Sequence, residues 1–356
     1  MIQLKLNNTS KVIFGTAMVT FCLTLYHFTP NNILSPAPPD LWSSSPPEPD
    51  KWNDNLETST KVTFEECGCN RTLKITRNNL CSLNTTTCSQ SAYFRGPNQK
   101  VIAYSIYGNL STSHSQVKGY FDGIEGNLEI LQTYYPGWVM RLYHEFKKNT
   151  EPYQKLCSFW CQYPHFDMCD VTDLPRAELE KAPKMFPMNW RYLPTLDPQV
   201  DWYLSRDLDS RYSDREIVAV KEWLNSDKTF HIMRDNPAHK TEILGGEWGT
   251  KLNLTRQNWA QTWQKAFKDS LLYSGRSHYG ADQNLLTKYV WPWVKNQAMS
   301  HDSYLCLKYP NTQPFPTKRL DGPYNFVASV VYENHTLTQE CPKECRPMNH
   351  QDWLTC

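Results

Sequence analysis

The stretch that decides the fold is Val200-Asp201-Trp202-Tyr203-Leu204-Ser205-Arg206-Asp207-Leu208-Asp209-Ser210. Its mostly apolar first half is typical of a β-strand, and that strand is followed by two carboxylates one residue apart, Asp207 and Asp209. Because side chains alternate along an extended segment, the two carboxylates are expected to point the same way at the strand's end. Both would then reach one cation.

A helix is predicted directly after this stretch. Ser213-Asp214-Arg215-Glu216 has the spacing of a capping box, and the apolar residues that follow it fall on one helical face: Ile217, Val220 and Leu224. Open α/β sheets, which are built from strands and helices in alternation, bind their ligands at the carboxyl ends of the strands. The carboxylate pair is therefore predicted to lie at that edge of a sheet.

The residue types suggest a metal ion. Carboxylate oxygens suit Mg²⁺ or Mn²⁺, and such ions are usually held by one or two carboxylates together with substrate phosphates. A diphosphate is the natural third partner. An Asp-x-Asp pattern also arises by chance in a chain of 356 residues, and a solvated strand-to-helix turn is the competing interpretation.

Composition excludes little. The chain has 37 Lys and Arg against 36 Asp and Glu, so its net charge gives no indication of nucleic-acid binding. Its 13 Trp and 20 Tyr suit stacking on sugars or bases, and they equally suit an ordinary core.

The amino-terminal part predicts a membrane anchor and a stem. Residues 12–28 carry no Asp, Glu, Lys or Arg, and at about 1.5 Å per residue they just span a thin bilayer. Residues 1–11, which contain Lys5 and Lys11, are expected to stay cytosolic. A cleaved signal peptide is the alternative, but the run is long for one and no clear small-x-small cleavage site follows. Residues 29–66 are predicted to be an extended Pro/Ser-rich stem.

The cysteines and sequons suggest the secretory pathway. Eleven of the 12 cysteines lie beyond the predicted anchor, which indicates disulfides, and their odd number allows a disulfide-linked oligomer. A metal site at Cys67-x-Cys69 or at Cys157-x₃-Cys161 is the alternative, although paired tetrahedral spacing is lacking. Five N-x-S/T sequons agree with a lumenal location: Asn70, Asn84, Asn109, Asn253 and Asn334.

The order of predicted elements sets the domains. Residues 67–96 are predicted to be a Cys-rich preface, 97–336 the main domain and 337–356 a Cys-containing tail. A strand at 101–108, a helix and a strand at 138–143 open a parallel sheet, and the helix carries a core stripe of Val117, Phe121, Ile124, Leu128 and Leu131. Short strands are expected at 170–173 and 230–235. A helix is expected at 256–273, with Trp259, Trp263, Phe267 and Leu271 in the core.

Further candidate residues follow along the chain. Arg191 would meet a phosphate, or else serve at the surface or as a cap. Gly245 and Gly246 indicate close approach of the backbone to a ligand or to another element. Glu247 and Trp248 would contact an acceptor sugar, or simply form a turn.

Two more candidates lie near the carboxyl end of the main domain. Asp282 stands near a predicted helix start, where it would either cap the helix or lie close to the acceptor or the donor sugar. His301 is a candidate third metal ligand, and a structural role is its alternative.

Taken in order, these motifs resemble the GT-A class of nucleotide-sugar-dependent glycosyltransferases, over residues 97–310. The resemblance rests on the βαβ opening followed by Asp207-x-Asp209, Gly245-Gly246, Tyr279-Gly280-x-Asp282-Gln283 and His301. It implies a GT-A-like, Rossmann-like α/β fold with a mixed, mostly parallel sheet flanked by helices. It also implies that Asp207, Asp209 and His301 hold Mn²⁺ or Mg²⁺ on the donor diphosphate, and that Asp282 lies near the reacting sugar.

The same resemblance gives the expected partners and location. They are a nucleotide-sugar donor, a glycan or glycoprotein acceptor, and the Golgi membrane, crossed once in the type II orientation with a lumenal catalytic domain. Asp282 and Glu247 are the catalytic candidates. Asp282 as general base would favour inversion, and retention stays open.

Two other functions compete with this one. A catalytically inactive lumenal glycan-binding or scaffold protein would bind sugar without depending on metal. A metal-dependent hydrolase would need more His ligands than this chain clusters. The chain lacks a Gly-rich phosphate loop with Lys, which argues against a P-loop sulfotransferase or kinase.

Overall fold

The computed structural model describes residues 58–64, 67–75, 83–108, 115–273, 280–309, 311–331 and 336–356. The predicted cytoplasmic tail, the predicted membrane span at 12–28 and most of the predicted stem lie outside these residues. Within them, none of the helices has the length and apolar character needed to cross a bilayer.

A hairpin and a large sheet contain the strands. The hairpin pairs β1 (Thr58–Phe64) with β2 (Cys69–Ile75). β1 falls within the predicted stem, so regular structure begins before the predicted boundary at residue 66. The sheet has the order β10-β9-β7-β8-β6-β3-β4-β5, with these bounds: β3 Gln99–Ser105, β4 Val139–His144, β5 Phe166–Asp170, β6 Val200–Ser205, β7 Phe230–Arg234, β8 Trp248–Lys251, β9 Ala298–Asp302 and β10 Thr312–Gln313.

The α-helices are α1 Gln90–Phe94, α2 Ser115–Tyr134, α3 Glu151–Gln162, α4 Asp214–Leu224, α5 Leu252–Ala266, α6 Ser270–Tyr273, α7 Ala281–Leu285 and α8 Trp291–Val294, with a π-helical turn at Leu286–Val290. Short 3₁₀ turns occur at Leu83–Thr85, Ala177–Leu179, Ala182–Lys184 and Lys343–Cys345, and a longer 3₁₀ run at Pro187–Leu196.

The mixed, mostly parallel sheet expected from the sequence is confirmed. β8 runs antiparallel to its neighbours β6 and β7, whereas the other strand pairs of the sheet are parallel. Both faces of β3 are buried, with Ile102 and Tyr104 in one apolar cluster and Val101 and Ala103 in the other. A strand covered on both faces reads as a continuous apolar run, as this one does.

Most predicted elements are confirmed, and two need correction. The third strand, expected at 170–173, is β5 at Phe166–Asp170, so the prediction was displaced and overlaps it only at Asp170. Asp170 Oδ1 accepts hydrogen bonds from the backbone N and the Oγ1 of Thr172 at 2.9 and 2.7 Å, which turns the chain. The helix expected at 256–273 is two helices, and the first of them begins at Leu252.

Disulfides join ten cysteines of the described residues within this chain. The pairs are Cys67–Cys157, Cys69–Cys161, Cys88–Cys169, Cys306–Cys345 and Cys341–Cys356. The metal-site alternative at Cys67-x-Cys69 or Cys157-x₃-Cys161 is therefore wrong, since the two pairs are cross-linked to each other. Cys81 lies outside the described residues, so the predicted disulfide-linked oligomer stays a prediction.

Candidate functional site

The carboxylate pair lies in a turn at the carboxyl edge of the sheet. β6 ends at Ser205, and Leu208 and Asp209 form the turn that follows. The prediction that the pair lies at this edge is confirmed. The predicted extended conformation around Asp207 and Asp209 is wrong, so strand alternation does not set the directions of their side chains. Both side chains are partly exposed, and 33% of the Asp207 side chain is accessible.

The residue between the strand and the pair points inward. Arg206 Nε donates to Glu216 Oε1 at 2.8 Å, and both side chains are nearly fully buried. Glu216 belongs to α4, whose predicted cap is confirmed because the Glu216 amide donates to Ser213 Oγ at 3.2 Å. This buried ion pair fixes the point at which the chain leaves β6, immediately before Asp207.

Arg191 connects the carboxylate pair to Asp282. It comes from the 3₁₀ run Pro187–Leu196 and is 2% exposed. One terminal nitrogen donates to Asp207 Oδ1, and the other donates to Asp282 Oδ2 at 2.8 Å. Burial alone would lower the pKa of Arg191, but the carboxylates of Asp207 and Asp282 raise it well above its ordinary value. The surface or capping alternative for Arg191 is therefore wrong.

Asp282 does not cap a helix in the way the alternative supposed. It is the second residue of α7, and Gly280, with a φ of 82°, holds the N-cap position. Asp282 is 3% exposed, and its Oδ2 also accepts from the hydroxyl of Tyr192 at 3.4 Å. A carboxylate held by a guanidinium and a phenol has a fixed position.

Gly245 and Gly246 allow the backbone to approach these carboxylates. A Cβ at Gly245 would lie 2.3 Å from Asp282 Oδ2, and one at Gly246 would lie 2.1 Å from Asp207 Oδ2. The close approach expected from the sequence is thus to the chain's own site residues. Their predicted contact with a nucleotide stays a prediction.

Glu247 and Trp248 are buried beside the site. Glu247 is 2% exposed, and burial raises its pKa well above the usual range. Neither of its carboxyl oxygens has a hydrogen-bond partner among the residues that the structure describes. The Trp248 ring stacks between Phe230 and Trp259 at centroid distances of 5.2 and 5.4 Å. This core position would have to open before the Trp248 ring could reach an acceptor sugar.

His301 lies in a separate cluster. Its Nδ1 is 2.8 Å from His231 Nε2, while its Nε2 is 3.2 Å from Glu222 Oε2 and 3.0 Å from Gln313 Nε2. Among the residues that the structure describes, no group of three His, Cys, Asp or Glu side chains is placed to hold a metal ion. The structure therefore does not assemble the predicted set of Asp207, Asp209 and His301, because both ring nitrogens of His301 are engaged elsewhere.

Sequence reasoning missed two half-buried tyrosines near the pair. Burial raises the pKa of both hydroxyl groups, and a nearby carboxylate raises it further, Asp282 for Tyr107 and Asp209 for Tyr120. Tyr107 follows β3, which is parallel to its neighbour β6. The parallel strand order alone would have placed Tyr107 at the same edge as the carboxylates.

The carboxylates of Asp207 and Asp209 suit a divalent metal ion that also takes ligands from a substrate. Two partly exposed carboxylates suffice for Mg²⁺ or Mn²⁺ when substrate phosphates and water supply the remaining ligands. They do not suffice for an ion held by protein side chains alone. The residues present thus fit a divalent ion that binds together with a diphosphate.

No protein-family model matches the chain, and no curated protein sequence matches it. Among solved structures, the chain is similar to a glycosyltransferase involved in the glycosylation of the major capsid of PBCV-1, with 13% identity over 58% of this chain and 82% of that one and a TM-score of 0.31.

Two further solved structures are similar to it. One is the glycosyltransferase GlyE of Streptococcus pneumoniae TIGR4, with 11% identity, coverage of 58% of this chain and 46% of that one, and a TM-score of 0.36. The other is the 4-diphosphocytidyl-2C-methyl-D-erythritol synthase of Anaerococcus prevotii, with 11% identity, coverage of 61% and 92%, and a TM-score of 0.35. TM-scores this low do not establish a common fold, so any function has to be inferred from this chain's own residues.

Proposed function

We propose that this chain is a glycosyltransferase of the GT-A type, which moves a sugar from a nucleotide-diphosphate donor to a glycan or glycoprotein acceptor. One observation carries the proposal. A partly exposed carboxylate pair follows the carboxyl end of the central strand β6, and buried Arg191 links Asp207 of this pair to a third carboxylate, buried Asp282. Ligands of open α/β sheets bind at the carboxyl ends of the strands.

Asp207 and Asp209 would hold Mn²⁺ or Mg²⁺ together with the donor diphosphate. When bound, such an ion acts as a Lewis acid that stabilises the leaving diphosphate. Arg191 keeps Asp207 and Asp282 at a fixed separation, which positions the diphosphate side of the donor relative to the sugar. His301 is not part of the proposed set.

Asp282 and Glu247 are the proposed catalytic groups. Asp282 would contact the reacting sugar. Burial raises the pKa of Glu247 well above its usual range and so favours the protonated form. In that form Glu247 would donate a hydrogen bond or a proton rather than accept one. Inversion and retention both stay open.

Five disulfides within the described residues support an oxidising compartment. We propose that the protein works in the Golgi lumen and is anchored by residues 12–28 as a single-pass type II protein. The predicted sequons agree with that location.

Thermal unfolding of the purified full-length protein tests the proposal. A ligand that binds only the folded chain stabilises it and raises its melting temperature. At a ligand concentration 100 times the dissociation constant, the free energy of unfolding increases by roughly 2.7 kcal/mol. We expect one nucleoside diphosphate to produce a shift that depends on Mn²⁺. Asp209→Asn should abolish that shift. Asp227→Asn, at an exposed carboxylate beyond the carboxyl end of α4, should leave it unchanged.

The same experiment separates the alternative. A shift with free glycans that is independent of Mn²⁺, together with no shift from any nucleoside diphosphate, would replace the transferase with a glycan-binding or scaffold protein.

A further inference from the structure

The turn that carries the carboxylate pair is held by its backbone carbonyl groups. Ser210 Oγ donates to the carbonyl of Asp207 at 3.0 Å. The Val331 amide donates to the carbonyl of Asp209 at 3.0 Å, and Asn127 Nδ2 donates to that of Ser210 at 3.0 Å. Asn127 and Val331 lie far from the turn in sequence, so the turn's position depends on remote elements as well as on its own residue Ser210.

On one side of the turn, α2 approaches without an intervening side chain. A Cβ at Gly123 would lie 2.2 Å from the carbonyl oxygen of Leu208, closer than real Cβ atoms come to another atom. Leu208 stands between Asp207 and Asp209, so a shift of its carbonyl moves both carboxylates. Asn127 is four residues further along and lies on the same helical face as Gly123.

Gly126 lies on that face too, but it meets a different kind of neighbour. A Cβ there would lie 3.0 Å from Arg211 Nε, and its three nearest atoms all belong to the Arg211 side chain. The Arg211 side chain can move aside without the backbone, although its Nη1 also donates to the carbonyls of Leu208 and Ser210 at 3.4 and 3.2 Å. The carbonyl of Leu208 can move only together with the backbone of the turn. Leu208 is 5% exposed and belongs to the apolar core.

On the other side, residues near the carboxyl end of the described chain hold the turn. Ser210 forms an antiparallel bridge with Val330, next to the Val331 bond to Asp209. The same segment is anchored by the Val327 amide, which donates to buried Asp235 Oδ2 at 2.9 Å.

We propose that Gly123 and Asn127 of α2, together with the segment 327–331, are positioning residues that aim Asp207 and Asp209. The inference rests on the proposed function in that the pair binds a metal–diphosphate ligand. None of these residues touches the ligand; they act through the backbone of residues 207–210.

Gly123→Ala and Gly126→Ala in the full-length protein form the test. Both replace glycine in the same helix and gain the same helix propensity, but only the first meets the carbonyl of Leu208. A misplacement of about 1 Å costs on the order of 100-fold in a positioned site. We therefore expect Gly123→Ala to weaken binding of nucleoside diphosphate with Mn²⁺ by about 10- to 100-fold. Gly126→Ala displaces only the Arg211 side chain, which donates to the turn at 3.2 and 3.4 Å, and it should weaken binding much less.

Asn127→Ala is a second variant in case Gly123→Ala does not fold. It removes the bond to Ser210 without adding an atom, and it should weaken binding in the same direction. Hydrogen exchange of the Val331 amide is measured in each variant, because it reports the position of the turn without any ligand. Faster exchange in Gly123→Ala than in Gly126→Ala is expected.

The outcomes separate this inference from the proposed function. If the wild type binds the ligand and both Gly123→Ala and Asn127→Ala bind it equally well, the inference is overturned. If the wild type binds no nucleoside diphosphate, the proposed function fails, and the exchange data decide the inference: equal Val331 exchange in the two glycine variants would overturn it, and faster exchange in Gly123→Ala would support it.

Discussion

A terminal nitrogen of Arg191 lies 2.8 Å from Oδ2 of Asp282, while its other terminal nitrogen donates to Asp207. One buried guanidinium therefore serves two carboxylates from distant parts of the chain. A planar cation with two terminal nitrogens suits this arrangement, whereas a single ammonium does not.

Arg191→Lys is expected to lower ligand affinity or turnover by at least tenfold, because one ammonium cannot hold Asp207 and Asp282 at the same separation. Arg95→Lys is the matched control. Arg95 also makes a two-point contact, with Asp167 at 2.9 and 3.0 Å, on an outer strand of the sheet. The control should lose stability but bind nucleoside diphosphate normally, and equal binding losses in both variants would contradict the role of Arg191.

Asp235→Asn is expected to destabilise the fold by about 3–5 kcal/mol, the usual cost of leaving buried charges unpaired. Asp235 is buried and accepts hydrogen bonds from Arg215, Arg319 and Ser303. Urea unfolding at pH 7 measures the loss, and Asp173→Asn, at an exposed turn carboxylate, should cost little.

The same carboxylate predicts a pH dependence. Burial would raise the pKa of Asp235, but Arg215 and Arg319 lower it from 3.8 to about 2. A depressed pKa stabilises the fold above the unfolded value, and this contribution is lost as the pH falls from about 4 towards 2. The stability difference between wild type and Asp235→Asn should shrink over that window, and a constant difference would contradict the assignment.

The His231–His301 pair predicts acid sensitivity nearer to neutrality. Burial lowers the pKa of both imidazoles below 6.5, so the unfolded chain takes up protons first as the pH falls. Stability should therefore decrease below about pH 6.5, since the unfolded state then binds more protons. His301→Gln should flatten this decrease between pH 6.5 and 5, whereas His350→Gln, at a partly exposed side chain, should retain it.

Glu247→Gln tests the state of the buried carboxyl group. Burial raises the pKa of Glu247 and so favours its neutral form. A neutral carboxyl group resembles the amide of glutamine in shape and charge. The melting temperature at neutral pH should change little, and turnover should fall if Glu247 supplies a proton. A large loss of stability at pH 7 would indicate that Glu247 is ionised and paired, contrary to this account.

Local patterns predicted the parts of the fold that local physics determines. The apolar run of β6, the Ser213 N-cap and the α2 stripe from Phe121 to Leu131 are confirmed because each depends on neighbours within a few residues. The other half of the predicted capping box is not formed, since the Glu216 side chain accepts from Arg206 and Tyr135. The turn at Asp207–Ser210 was not foreseen, since Arg206 leaves the strand to pair with Glu216. No local pattern reports such a tertiary pairing.

The parts of the site that the sequence did not predict depend on contacts between residues that are far apart in the chain. The link between Arg191 and Asp282 spans 91 residues, and His301 reaches His231 across 70. The motif order suggested His301 as a metal ligand, but the strand pairing of β9 with β7 directs it to another histidine. The tyrosines beside the pair carry no sequence signal apart from their place after a strand or in a helix.

Turnover of a nucleotide sugar is the direct test of a glycosyltransferase site at Asp207 and Asp209. Purified full-length protein is incubated with Mn²⁺, a panel of nucleotide sugars and a mixture of glycan acceptors, and release of nucleoside diphosphate is measured. The account predicts release from one donor, lost in Asp209→Asn and retained in Asp227→Asn. Release that is equally fast in Asp209→Asn, or no release from any donor, would contradict a glycosyltransferase site at Asp207 and Asp209.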